Sequence, residues 1–258
     1  MIARYALSDQ TEVLLTLPYK SLTLRVDNED EHHRNETLDG IGDVRLGIRH
    51  FFFYDRSLQI SGLLGASLPM GALNEITAAS YLRHDEAASI GVDVPEHSHL
   101  QLGTGTIDPF VGIEILHRSD TRWMLYGSIN IDLPFYENRY GYRTSPAGTL
   151  NFGPARYLRS TKVIASFFVE VFHANRDRLE AADVIGPGGA FDGRMGVPNT
   201  GRLEMAFKPG ITWSMTENLT LNFQARFPVY TRIQQDREQS DVQLTEPAGL
   251  IFSLSYNL

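Results

Sequence analysis

The chain has 258 residues, 42% of them hydrophobic and 21% charged, with a formal net charge of −8. That acidic surplus lacks the clustered cations that phosphate binding needs, which sets nucleic acid aside as a partner. There is no cysteine, hence no disulfide, thiol nucleophile or Cys-type metal site, and no apolar run approaches the roughly 18 residues of a transmembrane helix.

The opening Met1-Ile2-Ala3-Arg4-Tyr5-Ala6-Leu7-Ser8-Asp9 has no basic stretch followed by an apolar run, so no signal peptide is read there. From Ile2 onward the chain alternates with period two. In chain order this alternation predicts eleven strands, at roughly 2–7, 11–25, 42–54, 58–70, 104–117, 122–135, 148–158, 162–174, 201–215, 219–232 and 248–258. Leu58, Ile60, Gly62, Leu64, Ala66 and Leu68 make one apolar row. Leu219, Leu221, Phe223, Ala225 and Phe227 make another, backed by Thr220, Asn222, Gln224 and Arg226.

The connections alternate between two kinds. Ser8-Asp9-Gln10, Asp55-Arg56-Ser57, Arg118–Thr121, the step from Leu158 to Lys162, and Thr216-Glu217-Asn218 have the polar chemistry of tight hairpin turns. Between them lie long hydrophilic stretches, at Asp27–Gly40, Gly71–His99, Tyr136–Ala147, Arg176–Thr200 and Gln234–Pro247. Apolar–Pro–apolar triplets at Leu17-Pro18-Tyr19, Leu68-Pro69-Met70, Leu133-Pro134-Phe135 and Phe227-Pro228-Val229 mark strand ends on one common rim, because proline cannot donate to a ladder.

Strands of about 12 residues, rising ~3.3 Å per residue and tilted about 45°, cover roughly 28 Å, the thickness of a bilayer core. The expected fold is therefore all-β: an antiparallel up-and-down transmembrane barrel of about 12 strands. Eleven of these are visible in the chain, joined by short periplasmic turns and long extracellular loops in a single domain over residues 1–258. Barrels of this kind carry an even strand count. Parity thus calls for one more strand, either upstream together with a signal peptide or within Gly71–His99 near Ile76–Leu82.

Three segments carry a family resemblance. Arg4-Tyr5-Ala6-Leu7-Ser8-Asp9-Gln10-Thr11-Glu12-Val13, running on to Leu17-Pro18-Tyr19, resembles the first complete hairpin of a group of Gram-negative outer-membrane barrels, the transporter family of the meta-cleavage phenol-degradation pathway. Gly40-Ile41-Gly42-Asp43-Val44-Arg45-Leu46-Gly47 is similar to that family's Gly-x-Gly-Asp strand opening. Gly103-Thr104-Gly105-Thr106-Ile107-Asp108-Pro109 is similar to the start of a later strand. The resemblance spans most strands but not the long loops. It implies an outer-membrane barrel passing small hydrophobic or aromatic compounds, without catalytic residues. The chain departs from the family pattern in lacking a leading strand and in ending on Leu258 rather than phenylalanine.

Two sets of residues are candidates for function. His32, His33, His84, His97 and His99 sit among acidic residues in the first two long loops, and His97-Ser98-His99 on an extended segment points both imidazoles the same way, as a shared metal requires. Solvated polar loops explain the same run. Arg45, Arg49, Glu114, Asp132, Glu170, Glu204, Lys208 and Arg226 fall on the polar side of their strands and so face the lumen. There they either set charge selectivity and hold solute, or pair with one another and plug a narrow barrel. Asp43 and Asp108 read as turn caps. Gly186–Gly193 reads as a loop tip, and His173 is the one tempting base in a chain with no Gly-x-Ser-x-Gly elbow. No catalytic residue and no cofactor is assigned.

The function expected is a porin-like channel of the bacterial outer membrane, transporting small, hydrophobic or aromatic solutes by passive diffusion. Its partners are outer-membrane lipid and the solute. One alternative is a non-transporting structural barrel whose acidic, His-containing loops bind an extracellular protein or metal. The other is a soluble barrel with a ligand in an apolar interior.

Overall fold

The computed structural model describes residues 1–24, 36–73, 101–119, 122–158, 162–179, 201–233 and 248–257. Among these residues the secondary structure is all β. The wall is made by β1 (Ile2–Ser8), β2 (Thr11–Thr16), β5 (Val44–Tyr54), β6 (Leu58–Leu68), β7 (Asp108–Arg118), β8 (Trp123–Asp132), β10 (Ala147–Tyr157), β11 (Val163–Ala174), β13 (Arg202–Ser214), β14 (Leu219–Ile233) and β15 (Gly249–Asn257). They form a closed barrel in the order β1-β15-β14-β13-β11-β10-β8-β7-β6-β5-β2. Each predicted strand finds a counterpart in this wall.

Every neighbouring pair is antiparallel except one. An odd number of strands leaves first and last running the same way. β1 and β15 therefore pair in parallel, over Ile2↔Ser255, Ala3↔Tyr256 and Arg4↔Asn257 alone. The twelfth strand that parity calls for has no counterpart among the described residues, and the Ile76–Leu82 site proposed for it lies outside them.

The predicted strand 11–25 divides in two. β2 stops at Thr16, Pro18 has no amide hydrogen to continue the ladder, and the chain leaves the wall. It forms a separate hairpin of β3 (Tyr19–Leu24) and β4 (Glu36–Ile41). A second small ribbon pairs β9 (Tyr142–Arg143) with β12 (Arg178–Leu179) inside stretches read as loop. The strand expected from 104 begins only at Asp108, because residues 101–107 form an irregular segment in which Gly105 has φ of +76°.

Tight turns close one rim as their sequences dictate. At the β5–β6 hairpin, Asp55 Oδ1 accepts from the amides of Ser57 at 2.6 Å and Leu58 at 2.7 Å. These bonds hold the exposed Asp55 carboxyl below the usual carboxylate range.

Alternation decides the faces, and the barrel is apolar outside. Leu64 is 67% exposed, Leu250 70% and Phe252 75%, with Ile48, Ile113, Leu125, Ile129, Phe167, Phe207 and Ile211 on the same surface. The buried side chains Ser61, Ser128, Ser166 and Glu204 point inward. An apolar belt this continuous is untenable against water and suits hydrocarbon. A soluble barrel with an apolar interior needs the opposite arrangement. Phe172 shares the inward face of β11 with Glu170, beneath the Arg202 guanidinium at 5.0 Å.

Candidate functional site: the barrel lumen

The eight predicted lumen residues all lie on inward faces, and the structure gathers them into three groups. The first centres on Arg49. Register places Glu12 of β2 directly opposite it, and the two meet at 2.7 Å. In the other direction Arg49 reaches over β6 to Glu114 of β7 at 2.9 Å, passing a strand whose inward face there is the small, buried Ser61. The Tyr126 hydroxyl donates to Glu114 at 3.3 Å, which extends the chain of contacts to β8.

The second group is on the opposite wall. Glu170 of β11 accepts from Lys208 Nζ at 2.7 Å and from Arg226 Nε at 2.8 Å. Lys208 also donates to Asn151 of β10 at 3.2 Å. A further nitrogen of Arg226 donates to Glu204, which is 1% exposed. Arg226 spans from β14 to β11 because the intervening strand presents Ala206, opposite Glu170 in register. A bulge at Met205–Ala206, where β14 offers Pro228, shifts the ladder beside it.

The third group stands at the long-loop rim. Arg45 of β5 reaches Asp132 of β8 at 2.6 Å, three strands around the wall. Its guanidinium lies 4.2 Å from the centroid of the Phe110 ring. That ring is 4% exposed and rests on Gly47 and Gly65, where an added Cβ would stand 3.2 and 2.5 Å from its Cζ. Only glycines let the ring lie so close to the wall.

Sequence reasoning missed Glu12, Tyr126, Asn151 and Phe110. The apolar Leu14, 8% exposed, shares the inward face of β2 and hides Glu12 in the pattern. Its signal lies in register: an acid directly across the hairpin ladder from Arg49.

The rim residues differ from the simple turn caps expected. Asp108 does act locally, accepting from Thr104 Oγ1 at 2.7 Å and Thr106 Oγ1 at 2.6 Å. Asp43 instead joins distant segments, accepting from the Gly71 amide at 2.9 Å and the Thr104 amide at 2.7 Å. Lys20 Nζ donates to Leu102 O, and Asn138 Nδ2 to Thr104 O, each at 3.0 Å. Residues 101–107 are thereby tied to the wall from several sides.

Nearby, Asp177 accepts from the Ser145 amide at 2.7 Å and from the Tyr142 hydroxyl. Burial pushes its carboxyl above the usual carboxylate range against the opposing pull of those bonds and of Arg202.

His32, His33, His84, His97 and His99 lie outside the described residues, as does the Gly186–Gly193 segment. Among the described residues no three His, Asp or Glu side chains converge as a metal site. His173 is exposed on the outward face, away from the lumen charges.

A closed all-β wall, greasy outside and ion-paired inside, defines the transmembrane β-barrel class of architecture. The chain is similar in fold to the COG4313 outer membrane channel from Pseudomonas putida F1, whose crystal structure it matches with a TM-score of 0.60 at 12% identity. The match covers 98% of this chain and 78% of that one. No protein-family model matches the chain, and no curated protein does.

Proposed function

We propose that the protein is an outer-membrane channel that passes small, hydrophobic or aromatic solutes by passive diffusion, with short turns in the periplasm and long loops outside. The observation that carries this reading is the inversion of faces: apolar rows turned outward around a lumen of paired charges. Pairing leaves little net field to attract or exclude ions, so neutral solutes meet a small electrostatic barrier. Inward aromatic rings supply surface for apolar compounds: Phe172, and Tyr126 with its ring 5.4 Å from that of Phe168. In this reading Arg45, Arg49, Glu114, Asp132, Glu170, Glu204, Lys208 and Arg226 line the path, and the chain works as one barrel domain within outer-membrane lipid. The resemblance to the phenol-degradation transporters supports the choice of aromatic solutes. No enzymatic role is proposed.

Liposome swelling with benzyl alcohol and with a sugar, together with planar-bilayer conductance, tests it. Faster permeation of the aromatic alcohol is the expected result. Absence of both flux and conductance overturns it.

A second reading draws on the ion pairs that span two and three strands, since the same contacts brace a closed lumen. The barrel would then be a scaffold whose His-containing loops bind an extracellular protein or a metal. That reading predicts no flux, and metal affinity that falls on substituting His97 and His99.

A further inference from the structure

The lumen arginines Arg45 and Arg49 each meet a carboxylate within 3 Å. One arginine on the outer surface does not. Arg156 is the penultimate residue of β10 and is exposed on the lipid-facing side, in the row of Leu150 and Phe152. Its guanidinium lies 5.1 Å over the ring of Trp123, the first residue of β8, which stands directly opposite in register. Beside them Arg122 donates to the Leu158 carbonyl at 3.3 Å, which fixes a second cation at the end of the same strand. Lys162, exposed in the adjoining turn, adds a third positive charge. Among the described residues, no acidic side chain pairs with any of the three.

An arginine on the lipid face is costly at the bilayer midplane and close to neutral near the interface, where its head reaches water and headgroups. Arg156 is one residue from the strand end, so at ~3.3 Å per residue it lies within about 5 Å of the turns. The chain has two tryptophans, and both mark this level: Trp123 is 43% exposed and Trp213, near the end of β13, is 46% exposed. Indole rings settle where hydrocarbon meets headgroups. A planar, unpaired guanidinium at that depth, steadied on an indole face, matches the geometry of a phosphodiester.

We propose that Trp123, Arg156 and Arg122 form a binding site for the phosphate of a membrane glycerophospholipid in the leaflet at the short-turn rim. The acyl chains lie along the apolar row of Leu125, Phe152 and Leu150. The site rests on the proposed outer-membrane setting of the barrel.

Native mass spectrometry of the detergent-extracted barrel with added phosphatidylglycerol tests it. The expected result is one retained lipid, with retention about tenfold lower in Arg156→Gln/Arg122→Gln, as for losing a charge-assisted hydrogen bond. Arg156→Lys, which keeps the charge, should retain more lipid than Arg156→Gln. The heat-dependent gel shift of a folded barrel shows that each variant is intact. Equal retention by the folded double variant overturns the proposal. So does equal retention of dioleoylglycerol, which has no phosphate, or displacement of the lipid by equimolar inorganic phosphate, which marks a free-anion site. A barrel that stays monodisperse without detergent overturns the membrane reading itself, an outcome the other three do not produce.

Discussion

Two ion-paired regions of one lumen differ in how much water reaches them. The Arg45–Asp132 pair at the long-loop rim has side chains 38% and 36% exposed, whereas Glu170, Lys208 and Arg226 are 12–13% exposed and Glu204 is 1% exposed. The chemistry is the same, guanidinium or ammonium against carboxylate, yet its expected energetic weight differs several-fold. At the rim, solvent screens the attraction and accepts either partner alone. In the middle of the wall, removing one partner strands a charge that has nowhere else to go.

Arg226→Met should therefore have the largest effect, a loss of about 3–5 kcal/mol in the stability of the vesicle-inserted barrel, because it leaves buried Glu204 without its cation. Urea titration monitored by tryptophan emission reads it, and unchanged stability would erase the distinction between the two regions.

Asp177 is intermediate, buried but outside the wall. Its folded-state pKa is raised above the ordinary 3.8, so the folded protein holds the proton more tightly than the unfolded chain. The tether to Tyr142 and Ser145 is consequently firmest at acid pH, weakens as pH climbs from the ordinary value through the raised one, and is level above that. Hydrogen exchange at the Ser145 amide should follow this course and lose its pH dependence in Asp177→Asn. Protection that instead rises with pH reverses the sign and the argument.

Arg45→Gln should be the mildest, within about 1 kcal/mol of the native stability. It removes one cation from the mouth and leaves Asp132 exposed, so single-channel recordings at low salt should shift toward cations and lose that shift as salt screens it. A loss as large as that of Arg226→Met would show that exposure does not govern these pairs.

Most of the wall was legible in the residues because a strand with two solvents writes its faces into every second position. Leu219–Phe227 shows this in nine consecutive residues. The lumen charges were legible for the same reason. What escaped were features that depend on contacts between segments far apart in sequence. Pro18 reads as a strand end, but nothing local says that residues 19–24 pair with 36–41 outside the wall. Asp43 after Gly42 looks like a cap. Its partners at Gly71 and Thr104 lie 28 and 61 residues away, and Gly103 is small because a Cβ there would stand 2.3 Å from the Asp43 carboxylate. Phe110 looks like any strand aromatic until the glycines beneath it are seen on two other strands.

The parallel step between β1 and β15 has a mechanical consequence. Three residue pairs hold a junction whose two ribbons otherwise slide past each other, with Tyr5–Ser8 below and Gly249–Leu254 above lacking ladder partners on that side among the described residues. Amides and carbonyls left open along such a slit are costly in hydrocarbon. Because both ribbons point the same way, any further ribbon lodged between them and running the other way would face both neighbours head to tail. One weak step would become two ordinary ones; with three residue pairs, this junction is the shortest ladder in the wall.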